Sequence, residues 1–249
     1  MVRHERKYLV PYSVIDKLRS RLMPFVLPDA YASLNQAELP QYTVRSIYFD
    51  TNNLECHEEK REGVELRKKF RIRSYNDYFP EAQTVLEIKK KLGSRIFKHR
   101  AFTKYDNIEV LLRTGNIHKY IDPFANGDSL ADASRFLYHV KKRNLNPTVL
   151  VVYEREAYHG KFDPGVRITL DKNIRSSIYP TISDLFNKNN LKHLYDKQFI
   201  LEIKYFTDKM PLWAKSFVQE FKLRNDALSK YTIGYDVNTV KSRVSFANL

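Results

Sequence analysis

Charged and apolar residues alternate along many short segments of this chain, and the alternation limits what the chain can fold into. Side chains along a β-strand point to opposite faces with a period of two. In LEIKY, for example, Glu202 and Lys204 fall on one face, and Leu201 and Ile203 on the other. A chain built from such segments is expected to form a sheet with one apolar face and one charged face.

The alternating segments are rich in β-branched and aromatic residues, and turn residues separate several of them. The predicted strands are 3–10, 42–50, 62–75, 84–91, 95–103, 148–158, 166–171, 199–206 and 231–243. Helical spacing predicts helices from Pro11 to just before Pro24, and over 106–112, 130–142 and 211–223. No repeat or linker interrupts the pattern. It therefore predicts one α+β domain over residues 1–249, an antiparallel sheet with helices at its edges.

The charged faces carry mostly lysine and arginine. A half-solvated antiparallel sheet gives the same alternation, but its exposed face would mix Ser, Thr, Gln, Asn, Glu and Lys freely. Here cations recur near the centres of six or more strands. If the sheet closes into a barrel with these faces inward, it lines a pore with basic residues. Such an interior requires compensation by a polyanion, by interior carboxylates or by water.

The overall charge also points to an anionic partner. The net charge of +14 and the pI near 9.6 suit nucleic acid, a membrane surface or a polyanionic small substrate. The seven glycines form neither a GxxxxGK[ST] loop nor a GxGxxG turn, so phosphate binding by a glycine-rich loop is excluded. HExxH is absent as well. Carboxylates on the charged faces would suit Mg²⁺ or Mn²⁺.

The single cysteine, Cys56, excludes an internal disulfide and a cysteine-rich zinc site. This composition suits a reducing compartment. The charged N-terminus does not resemble a secretory signal, and no apolar run approaches the roughly 20 residues that span a bilayer. We therefore expect a soluble, cytoplasmic protein.

Eight segments carry a resemblance to a known family. In chain order they are RHERKYLV, SIYFDT, LRKKFRIRSY, LEIKKKLGSRIFKHR, VVYEREAY, VRITLD, LEIKY and LSKY. Each is short, but their order and spacing together are specific. They resemble the triphosphate tunnel metalloenzyme (CYTH-like) superfamily and, within it, the VTC (vacuolar transporter chaperone) type of polyphosphate polymerase domain. The resemblance implies an antiparallel β-barrel of about eight strands, with a basic tunnel inside and helices on its flanks.

The resemblance also implies roles for individual residues. The implied catalytic residues are Lys7, Arg71, Arg73, Arg155, Lys230 and Glu202. The implied substrate-binding residues are Lys89, Lys98, Arg100, Tyr153, Arg167, Lys204 and Ser229. The implied ligands of Mn²⁺ or Mg²⁺ are Glu202 and, secondarily, Glu5. Without the resemblance, Glu202 could simply neutralise Lys204, and Lys230 could be a helix-end cation that contacts terminal carbonyls.

One position departs from the superfamily pattern. The wider superfamily opens with ExExK, whereas this chain has Arg3 in place of the first glutamate. The change removes one metal ligand, adds a cation and favours the polymerase type over hydrolytic members. The implied reaction transfers the terminal phosphoryl group of ATP to a growing polyphosphate chain and releases ADP. We expect a stand-alone module of the bacterial kind, without an SPX sensor domain. A membrane-protein partner is compatible with it, and the sequence does not indicate an oligomeric state.

Two alternatives remain open at the level of sequence. A triphosphatase of the same fold would pass the phosphoryl group to water, with Glu5 or Glu87 as the orienting carboxylate. A non-enzymatic polyanion-binding or RNA-binding protein would combine the basic charge with the 17 tyrosines and 15 phenylalanines. We expect no nucleic-acid partner, because the aromatic residues are predicted to lie mostly on the faces opposite the strand arginines.

Overall fold

The computed structural model describes residues 4–33, 39–93, 95–125, 127–206 and 209–246; Arg3 lies outside them. The strands are β1 His4–Pro11, β2 Val26–Pro28, β3 Gln41–Asp50, β4 Leu66–Tyr75, β5 Gln83–Leu92, β6 Arg95–Lys104, β7 Asn146–Gly160, β8 Arg167–Ile178, β9 Lys192–His193 and β10 Gln198–Tyr205. The helices are α1 Ile15–Leu22, α2 Ala30–Ser33, α3 Glu55–Arg61, α4 Ile108–Thr114, α5 Ile117–Tyr120, α6 Ser129–Lys142, α7 Leu212–Glu220 and α8 Lys230–Phe246.

The strands form one ten-stranded sheet. Its main path has the order β1-β10-β8-β7-β3-β4-β5-β6, and the short strands β2 and β9 pair with β7 and β8. Neighbouring strands such as β1 and β10, or β4 and β5, run antiparallel. The predicted α+β class, with an antiparallel sheet and flanking helices, is confirmed. Within the described residues the path is open from β1 to β6, so closure into a barrel stays a prediction.

The chain forms two compact units. Unit one comprises Met1–Thr43, Tyr153–Ile174 and Tyr195–Ser229, and unit two comprises Val44–Val152, Arg175–Leu194 and Lys230–Leu249. The single domain over residues 1–249 stays a prediction.

In unit one the apolar strand faces pack under helices, as the alternation predicted. The buried core contains Tyr8 and Val10 of β1, Ile168 and Leu170 of β8, Leu201 and Ile203 of β10, Leu18 and Leu22 of α1, and Phe217 of α7. This packing removes the apolar face of each strand from water, which is the main favourable term in folding. The charged residues that alternate with these positions are left on the opposite face of the sheet.

Unit two repeats this division. Phe70 and Ile72 of β4 are fully buried, and Phe136 of α6 packs edge-on against Phe70 with 6.4 Å between ring centroids. Because side chains alternate along β4, this packing leaves Arg71 and Arg73 on the face away from α6. Helix α6 therefore covers one face of β4, and Arg71 and Arg73 lie on the other.

The predicted strand at 231–243 is wrong, because these residues belong to α8. Their β-branched and aromatic content gave the strand signal, but tertiary packing decides the conformation. Gly234 and Asn238 are four residues apart and lie on one helical face. Both contact Ser176 of β8: its hydroxyl donates to the Gly234 carbonyl at 3.0 Å and accepts from the Asn238 amide at 2.9 Å.

Another difference concerns the residues just before β4. The predicted strand 62–75 begins only at Leu66, because residues 55–61 form the unpredicted helix α3, which is followed by Glu62 and by Gly63 with φ of 74°.

Among the described helices, none combines the length and the apolar character needed to cross a membrane.

Candidate phosphate-binding and metal site

In unit one, four charged side chains of alternating sign meet across β1 and β10. The register places Lys7 opposite Glu202, and Glu5 opposite Lys204. Lys204 Nζ lies 2.9 Å from Glu202 Oε2, and Lys7 Nζ lies 3.1 Å from Glu5 Oε1. Lys7 Nζ also donates to the Leu228 carbonyl at 3.1 Å. We call Glu5, Lys7, Glu202 and Lys204, together with Arg155, the carboxylate cluster.

Arg155 of β7 enters this cluster already held by a carboxylate. Its Nε and Nη2 donate to the two oxygens of the fully buried Asp171 of β8, at 2.6 and 2.7 Å. Its Nη2 lies 3.7 Å from Glu202 Oε2, and its guanidinium lies 5.2 Å from the centroid of the Tyr153 ring. A bidentate pair fixes the plane of the guanidinium, so Arg155 is oriented before any ligand arrives.

The charges keep Glu202 ionised in spite of its burial. Burial alone would raise the pKa of Glu202, but Lys204 and Lys7 hold it well below its ordinary value. Burial lowers the pKa of Lys204 to about 7, although Glu202 opposes the shift. Metal ligands must be deprotonated, and Glu202 meets this condition at neutral pH.

The residues present fit a divalent metal that binds protein carboxylates and completes its coordination with phosphate oxygens. Glu5 and Glu202 lie on the adjacent strands β1 and β10, each beside a lysine of the carboxylate cluster. Thr169 of β8 stands opposite Glu202, and its buried hydroxyl has no hydrogen-bond partner among the described residues. Among all the residues that the structure describes, no group of three or more His, Cys, Asp or Glu side chains could hold a metal ion without other ligands. Mg²⁺ commonly takes one or two carboxylates and completes its shell with water and phosphate oxygens.

Unit two presents a second charged surface, on the face of β3 to β6 that alternates with the packed one. The register arranges it in four rows across neighbouring strands. Row one is Ser46, Arg73, Val85 and Phe102; row two is Tyr48, Arg71, Glu87 and Arg100; row three is Lys69, Lys89 and Lys98; and row four is Arg67, Lys91 and Ile96. We call these rows the cationic face.

Rows one and two are ordered by hydrogen bonds. Arg73 Nε donates to Ser46 Oγ at 3.0 Å. The buried Glu87 accepts from both Arg71 and Arg100, the latter bond measuring 3.0 Å from Nε to Oε2. Burial would raise the pKa of Glu87, but these arginines and Arg73 hold it far below its ordinary value. Row two therefore has two guanidinium groups for one carboxylate.

Row three places three lysines side by side on adjacent strands. Lys69 stands opposite Lys89, and Lys89 stands opposite Lys98. Three cations at neighbouring register positions make this the most uniformly basic row of the face. A surface of this kind is suited to a bound polyanion.

Lys230 is the first residue of α8, and Ser229 immediately precedes the helix. The hydroxyl of the next residue, Tyr231, donates to the buried carboxylate of Asp50. The same carboxylate accepts three backbone N–H bonds, from residues 51, 56 and 57, at 2.8 to 3.0 Å. The start of α8 is thereby fixed to the end of β3. A cation is not favoured at a helix N-terminus, so contact with terminal carbonyls does not explain Lys230.

A family model described as a VTC domain matches residues 2–238. The chain belongs to the VTC domain family. The assignment made from the eight segments is thereby confirmed. Searching the curated proteins gave no match.

The VTC domain is also similar to a solved structure. That protein is a putative adenylyl cyclase from Hippeastrum, HpAC1, described as having a dominant triphosphatase activity. The TM-score is 0.50 at 16% sequence identity, and the match covers 96% of this chain and 97% of the other. At this identity the match shows a shared fold.

The structure divides the predicted site residues of this VTC domain between the two units. Lys7, Arg155, Glu202, Lys204 and Glu5 come together in the carboxylate cluster, whereas Arg71, Arg73, Lys89, Lys98 and Arg100 belong to the cationic face. Arg167 stands opposite Lys204. Its Nη2 pairs with Asp29 at 2.9 Å and donates to the Tyr42 hydroxyl at 3.2 Å.

Sequence reasoning missed several partners of these residues in the VTC domain. Asp171, Asp50 and Thr169 lie within or beside the segments that carry the resemblance, but no role was predicted for them. Asp171 had a usable signal, because alternation places it on the charged face of β8 with Arg167. The burial of Asp50 at the end of β3 depends on α8, which the sequence did not predict as a helix.

The prediction that aromatic residues lie mostly opposite the arginines fails at several positions of the VTC domain. Tyr48 accepts a hydrogen bond from Arg71 at 3.1 Å, Tyr42 accepts from Arg167, and Tyr153 lies under Arg155. Tyrosine suits these places because its hydroxyl bonds the cation and its ring fills the space beneath it. All three rings are buried, so they do not form an exposed stacking surface.

Proposed function

We propose that this VTC domain is an ATP-dependent polyphosphate polymerase. The observation that carries the proposal is the length of the cationic face. From Arg67 to Arg73 the face follows β4 for about 20 Å at the usual rise of a strand. A triphosphate is shorter than this distance, whereas a growing polyphosphate chain can contact every row.

In the proposed reaction the terminal phosphoryl group of ATP passes to the end phosphate of the chain. An oxygen of the acceptor phosphate bonds to the γ-phosphorus, the bond to the oxygen that bridges to the β-phosphate breaks, and its electron pair leaves with ADP. The acceptor is already an anion, so no strong base is required. Catalysis would consist of positioning and charge stabilisation.

We assign phosphate-binding roles within each unit. In unit one, Lys7, Arg155 and Arg167 would bind phosphate, with Tyr153, Lys204 and Ser229 as further substrate-binding residues. In unit two, Arg71, Arg73 and Lys230 would bind phosphate, with Lys89, Lys98 and Arg100 as further substrate-binding residues. The support for Arg155 is its fixed orientation against Asp171. Glu202, with Glu5, would hold Mn²⁺ or Mg²⁺, and the metal would neutralise charge on the phosphoryl group during transfer.

A triphosphatase is the second candidate, favoured by the activity described for HpAC1. Hydrolysis needs a carboxylate that orients or deprotonates water. Glu87 is poorly suited, because its two arginine partners and its low pKa make it a weak base. Glu5 is engaged by Lys7. These contacts support transfer to an acceptor that is already ionised.

The products distinguish the two candidates. Purified protein is incubated with ATP and Mn²⁺, the products are separated on a gel that resolves phosphate chains, and free phosphate and ADP are assayed in parallel. We expect a ladder of long chains, and an amount of ADP equal to the amount of phosphate added to the chains. Free phosphate without chains would instead establish a triphosphatase, and RNA binding with a steep salt dependence and no turnover would establish a binding protein.

Two adjacent lysines of β5 test whether the cationic face binds the chain. Lys89 is in row three, whereas Lys90 points to the opposite face and its Nζ lies 5.9 Å from the centre of the Phe97 ring. We expect Lys89→Ala to weaken the binding of long polyphosphate about tenfold, because a hydrogen bond to a charged group contributes about 1.5–3 kcal/mol. Its effect on tripolyphosphate should be smaller. Calorimetric titration of both ligands gives the measurement.

Lys90→Ala is the matched control, since it removes the same charge one residue away. It should leave the binding of both ligands nearly unchanged. Equal losses in the two variants would show that net charge, and not the cationic face, attracts polyphosphate.

The cytoplasmic location, the stand-alone form and a membrane-protein partner remain predictions from the sequence.

A further inference from the structure

The cationic face changes character at the C-terminal end of β4. Tyr75 follows Arg73 by two residues and so lies on the same face of the strand. Its side chain is 37% exposed, unlike the buried tyrosines beneath the arginines. The residue opposite Tyr75 on β3 is Val44. Val44 is fully buried, so the accessible part of this face beyond Arg73 is the Tyr75 ring.

The neighbouring strands make the same change. In row one, Arg73 stands beside Val85 of β5, and Val85 stands beside the half-buried Phe102 of β6. Two residues before Val85, Gln83 is exposed and lies on the same face of β5. The Ser74 hydroxyl donates to the Gln83 carbonyl at 2.9 Å, which shows that β4 and β5 stay adjacent to this end. We call Tyr75, Gln83 and Phe102, with the buried Val85 between them, the aromatic end of the cationic face.

We propose that the aromatic end binds the nucleobase of a nucleoside triphosphate, with the phosphates extending along Arg73 and Arg71 towards the lysines of row three. A nucleoside triphosphate has a planar, weakly polar base at one end and a polyanion at the other, in the same order as the face. The Tyr75 ring offers a stacking surface, and the Gln83 amide can donate to and accept from a base edge. Polyphosphate has no group that would use these residues.

This inference deepens the proposed function and rests on it in one respect: the cationic face must bind the phosphates of the nucleotide. The additional point is that the aromatic end contacts the phosphoryl donor, a nucleoside triphosphate, and not the polyphosphate product. The nucleotide uses both parts of the face, whereas the chain uses only the cationic rows. Removal of the Tyr75 ring should then weaken nucleotide binding selectively.

The test compares two ligands without turnover. Calorimetry measures the dissociation constants of a non-hydrolysable ATP analogue and of inorganic tripolyphosphate for the whole chain and for Tyr75→Ala. We expect the variant to bind the ATP analogue about tenfold more weakly, because a base stacked on an aromatic ring contributes at this level. Tripolyphosphate binding should change less than twofold. Tyr75→Phe keeps the ring and should restore the affinity for the ATP analogue.

A control addresses loss of an aromatic ring in general. Phe97 of β6 is 45% exposed and lies on the opposite face of the sheet, so Phe97→Ala should leave both affinities unchanged. Equal weakening of both ligands in Tyr75→Ala, or no weakening of either, would overturn the inference. If the proposed function itself fails, Arg73→Ala will leave tripolyphosphate binding intact, and that result is independent of Tyr75.

Discussion

Replacement of Glu202 by glutamine is expected to reduce turnover at least about 100-fold, the scale seen when one charge-stabilising group is lost from an active site. Glutamine keeps the size of the side chain but lacks the anionic oxygen that a divalent metal prefers. Tripolyphosphate should still bind, because Lys7, Lys204 and Arg155 remain in place around the position. Steady-state kinetics at several Mn²⁺ concentrations, together with calorimetry, separate the two effects.

Glu220→Gln is the control for this variant. Glu220 pairs with Arg21 at 2.8 Å on an exposed part of unit one, so its loss should not change turnover. In Glu202→Gln we also expect a higher Mn²⁺ concentration for half-maximal activity. Unchanged turnover, or an equal loss of tripolyphosphate binding, would remove Glu202 from the proposed metal site.

Replacement of Asp171 by asparagine is expected to lower the free energy of unfolding by about 3–5 kcal/mol, the range observed when one partner of a buried ion pair is lost. The fully buried Asp171 carboxylate accepts both bonds from Arg155. Asparagine would leave the guanidinium buried with one neutral acceptor in place of a charged pair. Urea denaturation followed by circular dichroism measures the change.

The exposed pair between Asp16 and Arg19 provides the comparison. Its 2.8 Å contact is similar in length, but the Asp16 side chain is 89% exposed, and surface pairs contribute about 0–1 kcal/mol. Asp16→Asn should therefore change the unfolding free energy by well under half the value for Asp171→Asn. A similar small loss in both variants would mean that Arg155 is solvated and not dependent on Asp171.

The strand faces could be predicted because alternation is a local property of the sequence. Leu201 and Ile203 had to face the core whichever strand lay beside them, and Glu202 and Lys204 therefore faced away. The contacts between strands could not be predicted in the same way. Lys7 lies opposite Glu202 only because β1 pairs with β10, a strand far along the chain, in one particular register. A slip of one residue in that register would reverse every face.

The misassigned segment at 231–243 shows a different limit. Tyr231, Thr232 and Ile233 have the side chains that favour a strand, and nothing in their immediate sequence indicates that Asp50 accepts a bond from Tyr231. The contacts of Gly234 and Asn238 with Ser176 also come from a distant part of the chain. Helix α8, and with it the position of Lys230 at a helix start, was therefore accessible only from the folded structure.

The side-by-side lysines of row three have a consequence for folding as well as for binding. The register places these three lysines next to one another on β4, β5 and β6 only in the folded sheet. Any phosphate chain that binds the native face but not the unfolded chain shifts the equilibrium towards the native state by mass action. The folded fraction of the protein would then rise with the concentration of such chains.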